Sequence, residues 1–227
     1  MIDHRARLME LSDGDNARFV AKLVPGKDNI LGARIPQIRA LAKEISNDDW
    51  RAVLAQEPLC FEEELLDAIL IATVRIPVEE RISLIEGFLP HFDNWSTCDT
   101  FCTTYKVKEG DRTAVWDYFA SLMESGEEFP MRLSLIMRMS AFKDEASIRA
   151  LLEDIASHDN EGYYYRMGAA WAVSVCYVRC PEETERLLRS GRLCDWTQNK
   201  SIQKIRESYR VSAEDKERLS ALKRRAL

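Results

Sequence analysis

Trp95 and Asp99 are four residues apart in the segment 93–99, DNWSTCD. On a helix this spacing makes the two side chains neighbours on one face. Cys98 and Cys102 form an adjacent apolar strip, which predicts that Asp99 lies at the edge of a hydrophobic core. Partial desolvation beside an indole strengthens the interaction of a carboxylate with a nearby cation. The pair therefore indicates a site that stabilises positive charge. A half-buried Trp beside a solvated or capping Asp is the ordinary alternative.

Arg132 is a cation in an otherwise apolar segment, PMRLSLIMR at residues 130–138. We expect it in the first turn of a helix that begins near Pro130. Its planar guanidinium group is suited to binding a phosphate. The alternative is an arginine whose apolar stem packs while its charge reaches solvent.

Trp171 lies in a stretch of small residues, GAAWA at residues 168–172. A helix is narrow there, so a neighbouring element can approach closely. Trp171 is then either an aromatic wall for a ligand or the packing residue of a tight helix crossing. The tyrosines Tyr163–Tyr165 and Trp116 leave the same choice open between surface stacking and core packing.

A basic segment follows residue 198. Lys200, Lys204 and Arg206 lie on a helix that we predict over Asn199–Ser208. Short donors are expected at the start of this helix, namely Gln198, Asn199 and Ser201. A helix N-terminus with such donors and cations can bind phosphate oxygens, although a solvated polar face is the default for such a run.

Helices are the elements that must position these residues, since no segment alternates apolar and polar residues as a strand does. Short joins between helices predict antiparallel neighbours. We predict an all-α fold of HEAT-like helical repeats, in which antiparallel helix pairs stack into a curved α-solenoid as a single domain over residues 1–227. A compact orthogonal bundle is the structural alternative. The predicted helices are Arg34–Ser46, Phe61–Val74, Pro77–Pro90, Asp93–Val107, Thr113–Met123, Pro130–Phe142, Ala146–Ile155, Tyr163–Val178, Pro181–Leu188, Asn199–Ser208 and Ser212–Ala226.

The composition limits the class of protein. The 227 residues contain no apolar run of the roughly 20 residues that a spanning helix needs, and the N-terminus lacks the apolar region of a signal peptide. We therefore expect a cytoplasmic protein with reduced cysteines. The six cysteines and three histidines are not spaced as metal ligands, and no phosphate-binding glycine loop is present, so no metal and no cofactor are expected.

The charge distribution is uneven. The net charge is −6, whereas nucleic-acid-binding proteins are usually basic. From Asn199 to the C-terminus there are nine Lys/Arg and four Asp/Glu, a net charge of +5, so the first 198 residues carry −11. A local basic binding surface on an acidic protein is compatible with these values.

These segments together resemble the DNA alkylation repair family of HEAT-like DNA glycosylases. The resemblance covers residues 30 to 210 and rests on five segments, namely LGARIP (31–36) with IRALAK (38–43), DNWSTCD (93–99), Arg132 before its apolar run, AWA (170–172) and NKSIQK (199–204). It implies hydrolytic removal of N3- and N7-alkylated purines from duplex DNA without base flipping.

The resemblance also implies the role of each residue. Asp99 would stabilise the positive charge that develops on the deoxyribose and hold the attacking water. Trp95 and Trp171 would press against the sugar and backbone, and Arg132 would hold a phosphate. The expected DNA-binding residues are Arg166, Lys200, Lys204, Arg206 and Arg210.

The implied protein is a monomer that binds duplex DNA with alkylated bases, without a membrane and without a small-molecule cofactor. The acidic charge leaves a second hypothesis open. Stacked helices offer an extended concave surface, so the chain is alternatively a non-catalytic HEAT-repeat scaffold for a DNA structure or a protein partner.

Overall fold

The structure is a computed structural model that describes residues 2–224. These residues form fourteen α-helices and three short 3-10 turns, and no strand occurs among them. The prediction of an all-α fold is confirmed. The chain divides into two compact units, Met1–Arg112 (unit 1) and Thr113–Leu227 (unit 2). The single domain over 1–227 stays a prediction, and its ends (residues 1 and 225–227) lie outside the described residues. The helix predicted over Ser212–Ala226 is too long, because α14 ends at Ser220 and residues 221–224 are not helical.

Unit 1 is organised around helix α5, which is apolar on nearly all sides and therefore buried. Helices α3, α5 and α7 pack in a row, each against the next but one along the chain. Leu66 and Leu70 of α5 are fully buried at the centre of this core. The helices of unit 1 are α1 His4–Glu10, α2 Gly14–Leu23, α3 Ile35–Ile45, α4 Trp50–Leu54, α5 Phe61–Thr73, α6 Val78–Phe88 and α7 Trp95–Thr104.

Unit 2 has a second row, α9, α11 and α13, with α10 packed against both α9 and α11 and α12 packed against α10 and α11. This order of packing is expected of stacked helical pairs, and the assignment to HEAT-type repeats stays a prediction. The helices of unit 2 are α8 Arg112–Ser121, α9 Glu128–Ala141, α10 Glu145–Ser157, α11 Tyr163–Arg179, α12 Pro181–Arg189, α13 Asp195–Glu207 and α14 Ala213–Ser220.

Two helix starts differ from the predictions in ways that matter for the site. Helix α9 begins at Glu128, two residues before Pro130, because proline is tolerated within a first turn. Helix α13 begins at Asp195, four residues before Asn199. Three short helices near the N-terminus (α1, α2 and α4) had not been predicted, and their caps Asp3, Asp13 and Asp49 each accept backbone N–H bonds.

No helix within residues 2–224 combines the length and apolarity needed to cross a bilayer. All six cysteines are free thiols.

Candidate functional site

Trp95 and Asp99 lie together on α7, as their spacing predicts, in unit 1. Asn94 caps this helix, because its side chain accepts the backbone N–H of Thr97 at 2.9 Å. Both Trp95 and Asp99 are half-buried, whereas Cys98 on the same helix is 0% exposed. The prediction that Asp99 lies at the edge of the core is therefore confirmed.

The indole of Trp95 is fixed within unit 1. Its Nε1–H donates to the carbonyl oxygen of Leu23 at 2.7 Å, and its ring packs against the apolar core. This bond ties α7 to the end of α2, so the indole is held in one orientation rather than left to rotate.

An ion-pair cluster fixes the segment that leads into α7. The Nζ of Lys27 lies 2.7 Å from the Glu64 carboxylate and 2.8 Å from that of Asp93, the residue before the Asn94 cap. Burial alone would lower the pKa of Lys27, but its hydrogen bonds to Asp93 and Glu64 outweigh that effect and raise it. Burial raises the pKa of Glu64 even beside Lys27. The charged states of Lys27, Glu64 and Asp93 therefore depend on one another.

Arg81 fixes the other end of α7. Its guanidinium donates to the carbonyl oxygens of Ile71 and, at 2.6 Å, Val74, which end α5. It also lies over the ring of Tyr105, the residue that closes α7, at 4.8 Å from the ring centroid. Both ends of the helix that carries Trp95 and Asp99 are thus held by buried or half-buried cations.

Arg132 belongs to unit 2, and its burial contradicts the alternative in which its charge reaches solvent, while its contact with a phosphate stays a prediction. It lies in the second turn of α9 rather than the first, because the helix begins at Glu128. It is only 5% exposed and so does not reach out to solvent. Its Nη1 donates to the carbonyl oxygen of Tyr164 at 2.7 Å.

Gly168 explains how Arg132 crosses α11. A Cβ built on Gly168 would lie 3.3 Å from Nη1 and 3.4 Å from Cγ of Arg132, closer than side chains normally pack. The small residues before Trp171 therefore admit a neighbouring side chain, as the sequence predicts, and that side chain is Arg132.

Trp171 lines an open cleft between α11 and the end of α13, with a volume of about 430 Å³. Val175 and Val178 continue its apolar wall, and the charged residues that line it are Arg179, Lys204, Glu207 and Arg210. Three cations against one carboxylate favour an anionic ligand. Because apolar and cationic groups are both present, the cleft is suited to a sugar-phosphate group.

Lys204 is the half-buried cation of this cleft. Burial lowers its pKa, Glu207 opposes that effect, and the charges of Lys200 and Arg132 lower it further. The structure thus brings Arg132, Trp171, Lys200 and Lys204 into one region of unit 2, whereas Trp95 and Asp99 lie in unit 1.

The predicted donors at the start of the basic helix are used inside the protein, so that prediction is wrong. The helix starts at Asp195, which puts them in its first and second turns. Gln198 donates to the carbonyl oxygens of Leu188 and Leu222. The amide of Asn199 pairs with the backbone of Arg224, and Ser201 donates to the Thr197 carbonyl at 2.7 Å.

The remaining predicted DNA-binding residues are outside the lining of the cleft. Arg166 precedes Trp171 by five residues, about 140° around α11, and its Nη2 lies 3.7 Å from the Asp159 carboxylate. Arg206 is exposed and about 200° around α13 from Lys204. Lys200 is half-buried, with its Nζ donating to Gln203 Oε1 at 3.1 Å.

The undecided aromatic residues divide between core and surface. Tyr165 is 1% exposed and its hydroxyl donates to the His158 carbonyl oxygen. Tyr163 is 59% exposed and meets Trp196 edge-on at 6.0 Å. Trp116 packs between Phe142 and Arg138.

Sequence reasoning missed the packing of α11 against α13 and the cluster of Lys27, Glu64 and Asp93. Tyr163, Met167 and Trp171 recur every four residues on α11, and Trp196, Lys200 and Lys204 do so on α13. That spacing defines one face of each helix and could have identified the pairing of α11 with α13. No local signal predicts the cluster of Lys27, Glu64 and Asp93, because its members come from three distant segments.

The net charge is confined to unit 1, which has fourteen Lys/Arg and twenty Asp/Glu, while unit 2 has eighteen of each. Part of the acidic charge is structural, since Glu62 of α5 accepts the backbone N–H groups of Leu31 and Gly32 at 2.9 and 2.7 Å. The acidic balance therefore does not oppose anion binding at the cleft of unit 2.

Among the described residues no group of three or more His, Cys, Asp or Glu side chains is arranged to hold a metal ion.

Comparison with known proteins gives one finding. The sequence model of a family described as DNA alkylation repair enzyme matches residues 4–188. A search of curated proteins finds no match. Because the family match covers well over half of the chain, this protein belongs to the DNA alkylation repair enzyme family, with a role in the repair of alkylated DNA.

Proposed function

We propose that the protein is a DNA glycosylase that hydrolyses the N-glycosidic bond of N3- and N7-alkylated purines in duplex DNA without base flipping. The observation that carries the proposal is the placement of a carboxylate beside a fixed indole on α7 in a member of this family. Extrusion of a base from the duplex costs the free energy of unstacking that base, and the proposed reaction avoids this step.

The chemistry requires few protein groups. An alkylated purine is already cationic and leaves as a neutral base when its bond to C1′ breaks. The deoxyribose then acquires positive charge, which the Asp99 carboxylate stabilises while it orients the water that adds to C1′. The face of Trp95 adds cation–π stabilisation in the partly desolvated surroundings of α7.

Unit 2 supplies contacts to the DNA backbone in this proposal. Trp171 packs against a sugar, and the cations of its cleft, Lys204 and Arg210, bind phosphate oxygens. Arg132, being 5% exposed, contributes mainly the charge that it places beside Lys204. Lys200, Arg206 and Arg166 add to the attraction for the backbone.

The test is release of 7-methylguanine from a duplex that carries a single lesion, measured under single-turnover conditions against the spontaneous rate. We expect release well above that rate, and no release from the same duplex with unmodified guanine. Binding of the methylated duplex without release above the spontaneous rate would reject the glycosylase and favour the non-catalytic scaffold.

A further inference from the structure

Lys204 has an amine with no hydrogen-bond or ion-pair partner among residues 2–224. It forms no hydrogen bond or ion pair with the described residues, unlike Lys200, which bonds to Gln203, and Lys27, which bonds to two carboxylates. Its side chain is half-buried and lines the cleft beside Trp171. An unpaired amine in such a position is available for a ligand.

The surroundings of Lys204 lower the pKa of its amine. Charged groups face it from two helices. Lys200 and Glu207 lie on α13, the helix of Lys204 itself, and Arg132 lies on α9. Arg179 and Arg210 line the same cleft. Burial, Lys200 and Arg132 together outweigh the opposing effect of Glu207 on this pKa, and a lowered pKa increases the share of lysine amine that can act as a nucleophile.

The cleft also defines the electrophile. Its cations suit phosphates, and the indole of Trp171 with Val175 and Val178 forms a wall against which a sugar can pack. An abasic deoxyribose combines these features and, in its ring-opened form, has an aldehyde at C1′. Lys204 lies outside residues 4–188 that the family model matches, and the resemblance implies for it only a contact with the DNA backbone, so covalent chemistry at Lys204 follows from neither.

We propose that Lys204 forms a Schiff base with the C1′ aldehyde of an abasic site and cleaves the DNA strand by β-elimination. The inference rests on the proposed function in one respect, because base excision would generate the abasic site. Lys204 would then make the protein a lyase as well as a glycosylase.

The steps balance without an oxidant or reductant. The Nζ lone pair adds to C1′ and one water is lost, which gives the imine. A C2′ proton passes to solvent, its electron pair forms the C2′–C3′ double bond, and the C3′–O bond breaks with release of the 3′ strand bearing a 5′-phosphate. Addition of one water to the imine then frees the amine and leaves an unsaturated aldehyde on the other strand end.

The experiment uses a duplex in which the abasic site has been made beforehand, so it does not depend on base excision by this protein. Sodium borohydride reduces the imine and fixes the protein to the DNA, and peptide mapping locates the modified residue. We compare the wild type with Lys204→Arg, which keeps the charge but has no nucleophilic amine, and with Lys143→Arg, at an exposed lysine of unit 2 outside the lining of the cleft, as the matched control.

We expect a covalent adduct at Lys204 in the wild type, a loss of at least 100-fold in Lys204→Arg, and wild-type levels in Lys143→Arg. Strand cleavage without borohydride should follow the same order. Absence of a wild-type adduct, or an adduct mapped to another amine, would overturn the inference. Failure to release 7-methylguanine while the adduct still forms would reject only the proposed glycosylase.

Discussion

Removal of the Lys27 ammonium should destabilise unit 1 and loosen the start of α7. Lys27→Met keeps most of the apolar stem but leaves the carboxylates of Glu64 and Asp93 without the cation that lies 2.7 and 2.8 Å from them. Loss of one partner from a fully buried pair costs about 3–5 kcal/mol. The side chains of Lys27 and Glu64 are each 13% exposed, so this pair is close to fully buried. The side chain of Asp93 is 50% exposed and contributes little. We expect a loss of about 2–4 kcal/mol in the free energy of unfolding at neutral pH.

The loss of unfolding free energy in Lys27→Met should depend on pH. Burial already raises the pKa of Glu64 in the presence of Lys27, and removal of the cation raises it further. An acid whose pKa is raised in the folded state destabilises the fold above its unfolded pKa, about 4.3 for Glu. The cost of Lys27→Met should therefore be largest at neutral pH and should shrink as the pH falls towards that value.

Urea denaturation followed by circular dichroism at several pH values measures both effects. Lys22→Met is the matched control, since Lys22 is exposed on the neighbouring α2, and we expect a change within about 0.5 kcal/mol. A loss in Lys27→Met no larger than in this control, or a loss that grows as the pH is lowered, would refute the reasoning.

Three further predictions concern stability and DNA binding. Burial, and then Glu63 and Glu64, raise the pKa of Asp67 well above its ordinary range, so Asp67→Asn should raise the melting temperature at neutral pH but not below about pH 3, where the wild-type side chain is largely protonated in both states. Gly162→Ala would place a Cβ 2.3 Å from the Glu128 carboxyl that accepts the first N–H groups of α11, so urea titration should show a loss of about 1–2 kcal/mol, whereas Gly110→Ala, with no atom within 4 Å, should show none. Arg210→Gln should weaken binding of duplex DNA and reduce the slope of log affinity against log salt by about 1, measured by fluorescence anisotropy, and an unchanged slope would remove Arg210 from the DNA contact.

The helices could be predicted from the sequence wherever apolar periodicity and a cap agree. Helix α7 is such a case, because Asn94 caps it and Cys98 and Cys102 mark its buried face. That information was enough to place Trp95 beside Asp99 and to put Asp99 at the edge of the core.

The position of Arg132 and the start of α13 could not be predicted in the same way. Pro130 is compatible with both the first and the third position of a helix, and only the structure shows that Arg132 lies beneath Gly168. In the sequence Gln198 is an ordinary polar residue, yet its partners are backbone groups 10 and 24 residues away. Such contacts depend on tertiary packing, which local propensity does not encode.

The most direct test of the central claim compares base release by the wild type and by Asp99→Asn from duplex DNA with one 7-methylguanine, under single-turnover conditions. Asp28→Asn, an exposed site in the same unit, is the control for a general effect of the substitution. The amide keeps the shape of the side chain but removes the negative charge that would face the developing sugar cation, so we expect a loss of about 100-fold or more in Asp99→Asn with DNA affinity retained, and no loss in Asp28→Asn. Equal rates of release by Asp99→Asn and the wild type would contradict the account.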